Sequence, residues 1–317
     1  MNALGKSLVL IISLIGLTLA WEWYRKRPEW EKTAPSTQDV APARDAGPAI
    51  ETLAGDVSDP IRLHQIRLEG EVDAANRYLS TVLIEASSAM TMNALKCSGV
   101  LIAPRLVLTA GHCVCLQHKV ASGEDPGGAR IDRSDCVSTA TVTLMAYQPQ
   151  KPGENLRALH ERYPGEVHPH PELTIRLDTQ EQVTSVQANL AVILLGEPVP
   201  DRVLPLTLAE SKLQPGESLV LSGYGSDGIR PELHGQRRFN KVRVVRVSAD
   251  HERGFLDQPR RPLYANDSGG PCMRESEKGG VLVGISNRGL GSEPTCMSTH
   301  LHKDWLREEI LKANKAQ

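Results

Sequence analysis

Acyl transfer in neutral water needs a hydroxyl made nucleophilic by an adjacent base, and N–H donors aimed at the oxyanion that develops. Two short segments of this chain offer those parts. The first, Thr109-Ala110-Gly111-His112-Cys113, directly follows the apolar run that ends at Leu108, so it sets an imidazole at a strand end. The second is Asn266-Asp267-Ser268-Gly269-Gly270-Pro271, where two glycines follow a serine and let the backbone turn sharply with its amides pointing into a cleft. On this reading His112 is the general base and Ser268 the nucleophile. Cys113 and Cys115 make a C-x-C pair, but the second close pair that a structural zinc site requires is missing. No metal and no other cofactor is expected.

The elements that must position these groups read as short strands. From Tyr78 onward the chain runs through YLSTVLI, CSGVLIA, RLVLTA, TATVTLMA, NLAVILL, ESLVLSGYG, NKVRVVRV and GGVLVGIS, nearly all separated by turn residues. Many short strands with frequent Gly and Pro predict an all-β sandwich or barrel. Residues 302–315 (HKDWLREEILKANK) place Trp305, Leu306, Ile310 and Leu311 at helical spacing, which predicts a C-terminal amphipathic helix packed on the β domain.

Taken together, the histidine and serine segments resemble the chymotrypsin/trypsin-like serine peptidases, in that family's order of histidine first and serine late. Further segments agree. Cys97-Ser98-Gly99-Val100-Leu101-Ile102 is similar to the family's C-G-G-x-L-I strand, and Ser222-Gly223-Tyr224-Gly225 to its G-W-G segment. Gly284-Ile285-Ser286 is similar to the strand whose backbone pairs with substrate, and His168-Pro169 to an H-P segment ahead of the third catalytic residue. The resemblance implies two antiparallel β-barrels, about 68–195 and 203–300, with the site between them and a peptide or protein as substrate. It also implies a bridge from Cys97 to Cys113. Cys115 with Cys136 and Cys272 with Cys296 are the expected remaining pairs, although six cysteines allow 15 connectivities.

The chain departs from the family pattern at the third catalytic position. The family's aspartate opens a D-I-A-L-L strand, and here the matching run is Asn189-Leu190-Ala191-Val192-Ile193-Leu194-Leu195. Asparagine accepts less well from the imidazole and can select the wrong tautomer. Asp178, earlier in the same connection, is the alternative carboxylate for that role. The oxyanion donors are expected to be the backbone amides of Asn266 and Ser268, with asparagine where the family has glycine. The specificity pocket is expected to involve Pro262, Ser286 and Arg288, without the aspartate of trypsin-like specificity. Cleavage after Arg67 would free Leu68, whose new amine would pair with Asp267, as in the family's proenzymes.

Residues 7–20 (SLVLIISLIGLTLA) form an uncharged apolar run behind Lys6, as in an export signal. At ~1.5 Å per residue the run spans about 21 Å, short of the roughly 30 Å bilayer core. The aromatic and basic residues that follow, Trp21 to Arg27, suit an interfacial belt, so a cleaved signal and a retained membrane anchor both stay open for residues 1–20. Residues 21–67 read as a linker or propeptide, and 68–317 as the peptidase-like domain. An even number of cysteines in an exported chain favours disulfides and an extracellular or periplasmic setting. Thirty-six Lys and Arg against 38 Asp and Glu leave a formal charge of −2, which gives no global field for nucleic acid. Two functions follow from these residues: a serine endopeptidase, or a protease-fold binding module that has lost efficient turnover.

Overall fold

The structure, a computed structural model, describes residues 70–87, 95–120, 128–149, 156–225, 236–257, 267–276, 279–287 and 293–315. The expected signal or anchor, the linker, Arg67, Leu68, Pro262, Asn266 and Arg288 lie outside these residues. Among the described residues, no helix is long and apolar enough to cross a membrane.

The first half of the domain contains β1 (Glu71–Val72), β2 (Thr81–Ala86), β3 (Leu95–Ala103), β4 (Leu106–Thr109), β5 (Cys115–Lys119) and β6 (Ala129–Cys136). They are followed by β7 (Thr139–Tyr147), β8 (Ala158–Pro169), β9 (Thr174–Leu177), β10 (Val183–Gln187) and β11 (Ala191–Leu195). The second half contains β12 (Thr207–Leu208), β13 (Ser218–Gly223), β14 (Arg238–Val247), β15 (Arg253–Asp257), β16 (Pro271–Ser276), β17 (Gly279–Ser286) and β18 (Thr295–Ser298). Helix α1 (Lys303–Lys315) closes the domain.

Strands β11, β4, β3, β2, β7 and β8 pair in that order, and β8 pairs back with β11, closing one six-stranded antiparallel barrel. The second barrel runs β14, β13, β16, β17, β18 and β15, closed by the β14–β15 pairing. The expected all-β architecture of two barrels with a C-terminal helix is therefore what the chain adopts. A separate four-stranded sheet, β10-β9-β6-β5, branches from the first barrel.

Strands such as β4 (LVLT) are buried throughout and mostly apolar because both of their faces are covered. One face looks into the barrel; on the other side α1 packs against the barrel, adding Leu306 and Ala313 to the cluster that holds Val107 and Leu108. The C-terminus of the second barrel is thereby locked onto the first. Three disulfides join Cys97 to Cys113, Cys115 to Cys136 and Cys272 to Cys296, the pairing expected from the sequence.

The two halves also share a buried ion pair. Arg237 and Asp73 are both fully buried, with Arg237 Nε 2.9 Å from Asp73 Oδ2. Every face of the pair is hydrogen-bonded. The carboxylate accepts the N–H groups of Arg77 at 2.8 Å and Tyr78 at 2.9 Å. The guanidinium donates to the Met145 carbonyl, the Tyr224 hydroxyl and Asn76 Oδ1 at 2.5, 3.1 and 2.9 Å. Removing one partner strands a charge in a dry interior. Asp73→Ala is expected to cost about 3–5 kcal/mol of unfolding free energy, read as a lower urea midpoint. The paired change Asp73→Leu with Arg237→Met should cost clearly less than the single variant.

Candidate active site

His112 sits on a 3₁₀ turn, Gly111–Cys113, that caps the end of β4. Strand β11 lies antiparallel to β4 with Ala191 opposite Thr109. Continuing that register by two residues carries Asn189 to the histidine turn, and the pairing of a β-barrel thus fixes the third position. Asn189 is fully buried, and its Oδ1 accepts the backbone N–H of His112 at 3.0 Å.

That contact determines how the amide is oriented. A backbone N–H can only donate, so the atom facing it must be the carbonyl oxygen. The Nδ2 group is consequently left facing the imidazole, 2.9 Å from His112 Nδ1, and it also donates to Asn287 Oδ1 at 3.1 Å. Oδ1 is farther from Nδ1, at 3.3 Å. An N–H donor against Nδ1 selects the neutral tautomer that carries its proton on Nε2. Desolvation pushes the His112 pKa down to about 4, against an opposing effect of the Asn189 side chain that does not make up the loss. The half-buried imidazole is neutral at pH 7.

The Ser268 turn comes from the other barrel and is built against the first. Asp267 to Gly270 form a tight turn, with the Gly270 N–H on the Asp267 carbonyl at 3.1 Å, just before β16. Gly269 has φ +86°, in the left-handed region that glycine enters without cost. The Ser268 carbonyl accepts the N–H of Ser98, on β3, at 2.8 Å. Ser98 also presents its carbonyl to the Thr109 hydroxyl at 2.8 Å, and its own hydroxyl accepts the Tyr224 N–H at 2.9 Å. One β3 residue therefore holds the Ser268 turn, the strand that leads to His112 and the segment after β13. The bridged Cys113 Sγ lies 3.6 Å from the Ser268 carbonyl oxygen, a van der Waals contact between the two turns.

Ser286 was expected to pair with substrate through its backbone, but both of its backbone groups bond the turn that carries Ser268. Its N–H donates to the Gly270 carbonyl and its carbonyl accepts from Gly269, each at 2.8 Å. Asn287, which the sequence reading passed over, is the residue that meets Asn189. It is buried, with its N–H on the Thr295 carbonyl at 2.8 Å, and its Nδ2 is buried without a partner. A polar residue directly after an apolar strand was the available signal. Asp178 does not serve as a substitute carboxylate: its Oδ1 accepts the N–H groups of Gln180 and Gln182 in the β9–β10 turn.

Asp267 Oδ1 accepts the Gly225 N–H at 2.9 Å. A cavity of about 30 Å³ lies beside it, lined by Gly70, Gly223, Gly225, Arg238, Asp267 and Ser286. Cys97 Sγ, Cys113 Sγ and a ring nitrogen of His112 fall within 4.8 Å of one another, as metal ligands would. Both sulfurs are tied in the Cys97–Cys113 bridge, so neither is a thiolate available to a metal.

Two closed barrels, one presenting a histidine turn and the other a serine turn seated on it, define a serine-peptidase fold. The chain belongs to the trypsin-like peptidase family, whose domain matches residues 97–285. It is 26% identical over 249 residues to kallikrein 1-related peptidase b21 of Mus musculus, the match spanning 69% of this chain and 84% of that protein.

Proposed function

We propose that the protein is a serine endopeptidase of low turnover, in which Ser268 attacks the peptide carbonyl and His112 takes its proton. The observation that carries this reading is the seating of the Ser268 turn on Ser98 and Thr109, directly ahead of His112. Attack forms the Ser268 ester and releases the amine, which collects the proton from His112; water then hydrolyses the acyl-enzyme by the reverse roles. The backbone amides of Ser268 and Asn266 stabilise the oxyanion. Asn287, next along the chain from Ser286, takes over the substrate-pairing role expected of that residue, and Pro262 and Arg288 shape the specificity pocket.

Turnover is low because of Asn189. To act as a base, the imidazole must present a bare Nε2 and carry its proton on Nδ1, where it meets the Asn189 amide N–H instead of a carboxylate. That same contact favours the second reading, a peptide-binding module on a peptidase fold.

Activation follows the family's pattern. Gly70, two residues beyond Leu68, lines the cavity that Asp267 also lines, which supports an amine freed after Arg67 reaching that carboxylate. The three disulfides support export to an oxidising compartment. Residues 1–20 act there as signal or anchor.

The test is labelling by a serine-directed fluorophosphonate of the protein cut after Arg67. Slow, stoichiometric labelling that disappears in Ser268→Ala is expected. Complete absence of Ser268-dependent labelling would establish the binding module instead.

A further inference from the structure

The turn that delivers Asn189 is held in a conformation its own residues do not favour. Ala188 has φ +45°, the left-handed region, although it is not glycine. It is fully buried, and the Leu190 N–H folds back onto the Ala188 carbonyl at 2.6 Å. This reversal turns the Asn189 side chain toward His112. Left alone, the Ala188 N–H would be a buried donor without an acceptor, and the turn would relax.

Its acceptor is supplied by the other barrel. Glu252, in the β14–β15 connection, receives the Ala188 N–H on Oε1 at 2.6 Å. The Glu252 backbone is itself fixed, since its carbonyl accepts the Ser298 N–H at 2.7 Å and its N–H donates to Asp250 Oδ1 at 3.0 Å. The carboxylate is nearly buried, and His302 Nε2 faces it 3.5 Å away.

The histidine contacts lead back to the same turn. His170 Nδ1 accepts the Glu172 N–H at 3.1 Å, so the neutral His170 ring carries its proton on Nε2. That proton points at His302 Nδ1, 3.2 Å away, which puts the proton of His302 on Nε2, toward Glu252. The backbone N–H of His170 donates to the Leu190 carbonyl at 3.0 Å. The Ala188–Leu190 turn is thus held at one end by Glu252 and at the other by His170.

We propose that Glu252 is a positioning residue for the reaction at Ser268: it holds the left-handed turn at Ala188 and, through it, the Asn189 Oδ1 that anchors the His112 backbone N–H. This rests on His112 and Ser268 acting as proposed above, but the hydrogen bond it predicts exists whether or not the protein turns over.

The experiment uses the full chain cut after Arg67, with Glu252→Ala, Glu252→Gln and the double variant Glu252→Ala with Ala188→Gly. Two quantities are read: the rate of Ser268 labelling by a fluorophosphonate, and the ¹⁵N resonances of the His112 imidazole. Glu252→Ala should slow labelling about tenfold and move the Nδ1 resonance, as the left-handed alanine loses its anchor. Glu252→Gln should stay within about twofold of the parent, because its carbonyl accepts the same N–H. The double variant should recover part of the rate and of the resonance shift, since glycine holds a positive φ unaided while its N–H still lacks the carboxylate. A stabilising role unconnected to the turn would give no such recovery. Unchanged rate and resonances in Glu252→Ala would overturn the proposal, as would a double variant that fails to recover or to fold. If the parent is not labelled at all, it is the peptidase reading that falls, and the His112 resonances still decide the role of Glu252.

Discussion

Asn189→Asp is expected to speed Ser268 acylation and peptide turnover by up to roughly 10⁴-fold, the factor that the opposite change costs in Ser–His–Asp peptidases. The site is ready for a carboxylate. One oxygen would keep the His112 backbone N–H now bound at 3.0 Å, and the other would replace Nδ2 at 2.9 Å from Nδ1. The imidazole would then carry its proton on Nδ1 and present a bare Nε2 to the serine. Asn287 would have to turn its amide over so that Nδ2 donates to the new charge. That nitrogen has no partner to lose, because it is buried and unpaired as the protein stands. The measurement is kcat/KM on a peptide substrate together with the fluorophosphonate labelling rate. A change of less than tenfold would mean that Asn189 is not what limits the reaction.

The same variant should change the pH profile in a definite direction. In the parent, desolvation holds the His112 pKa to about 4, so the imidazole stays neutral down to about pH 4 and the acid limb lies there. A carboxylate beside Nδ1 stabilises the imidazolium and raises that pKa. The acid limb of kcat/KM therefore moves to higher pH in Asn189→Asp even as the plateau rises. The sign for stability is equally determined. With a folded pKa of about 4 against 6.5 when unfolded, the unfolded chain binds more protons between those values. The stability linked to His112 is thus complete above pH 6.5 and is lost as pH falls toward 4.

Most of the strands legible in the sequence bury both faces: β2, β3, β4, β7, β11, β13 and β17 stood out as largely apolar runs, and β14 by the alternation of its valines with Arg and Lys. β8 did not, because few of its residues are apolar and Pro164 and Gly165 interrupt it, although it pairs along its length with β7. β16 was hidden for another reason: it begins at Pro271, within the segment already read for its chemistry. At the candidate site, motif order was enough to nominate His112, Ser268 and Asn189. It was not enough for residues whose role is set by three-dimensional neighbours. Glu252 is 64 residues from the Ala188 N–H it receives, and Asn287 is 98 residues from Asn189. Ser98 looked like a substituted glycine in a strand motif, and only the packing reveals that it carries the Ser268 turn.

Gly269→Ala is expected to abolish detectable labelling of Ser268 and to destabilise the domain by roughly 2–5 kcal/mol, combining a left-handed alanine with an overpacked contact. A methyl group on Gly269 would lie 2.1 Å from the Ser98 carbonyl oxygen and 2.2 Å from the Thr109 hydroxyl. The first of these is backbone in the middle of β3 and cannot step aside. The turn must therefore retreat, breaking the Ser98 N–H bond to the Ser268 carbonyl and the Gly269 N–H bond to Ser286. A displacement of about 1 Å at the nucleophile costs on the order of 10²-fold in rate. Gly216 supplies the control. Its φ is +83°, nearly the same, yet an added Cβ there meets nothing within 4 Å. Gly216→Ala should carry only the backbone cost, about 1–2 kcal/mol, and leave the labelling rate unchanged. Equal losses of activity in the two variants would show that left-handed strain, not the seating of the serine turn on the first barrel, governs the site.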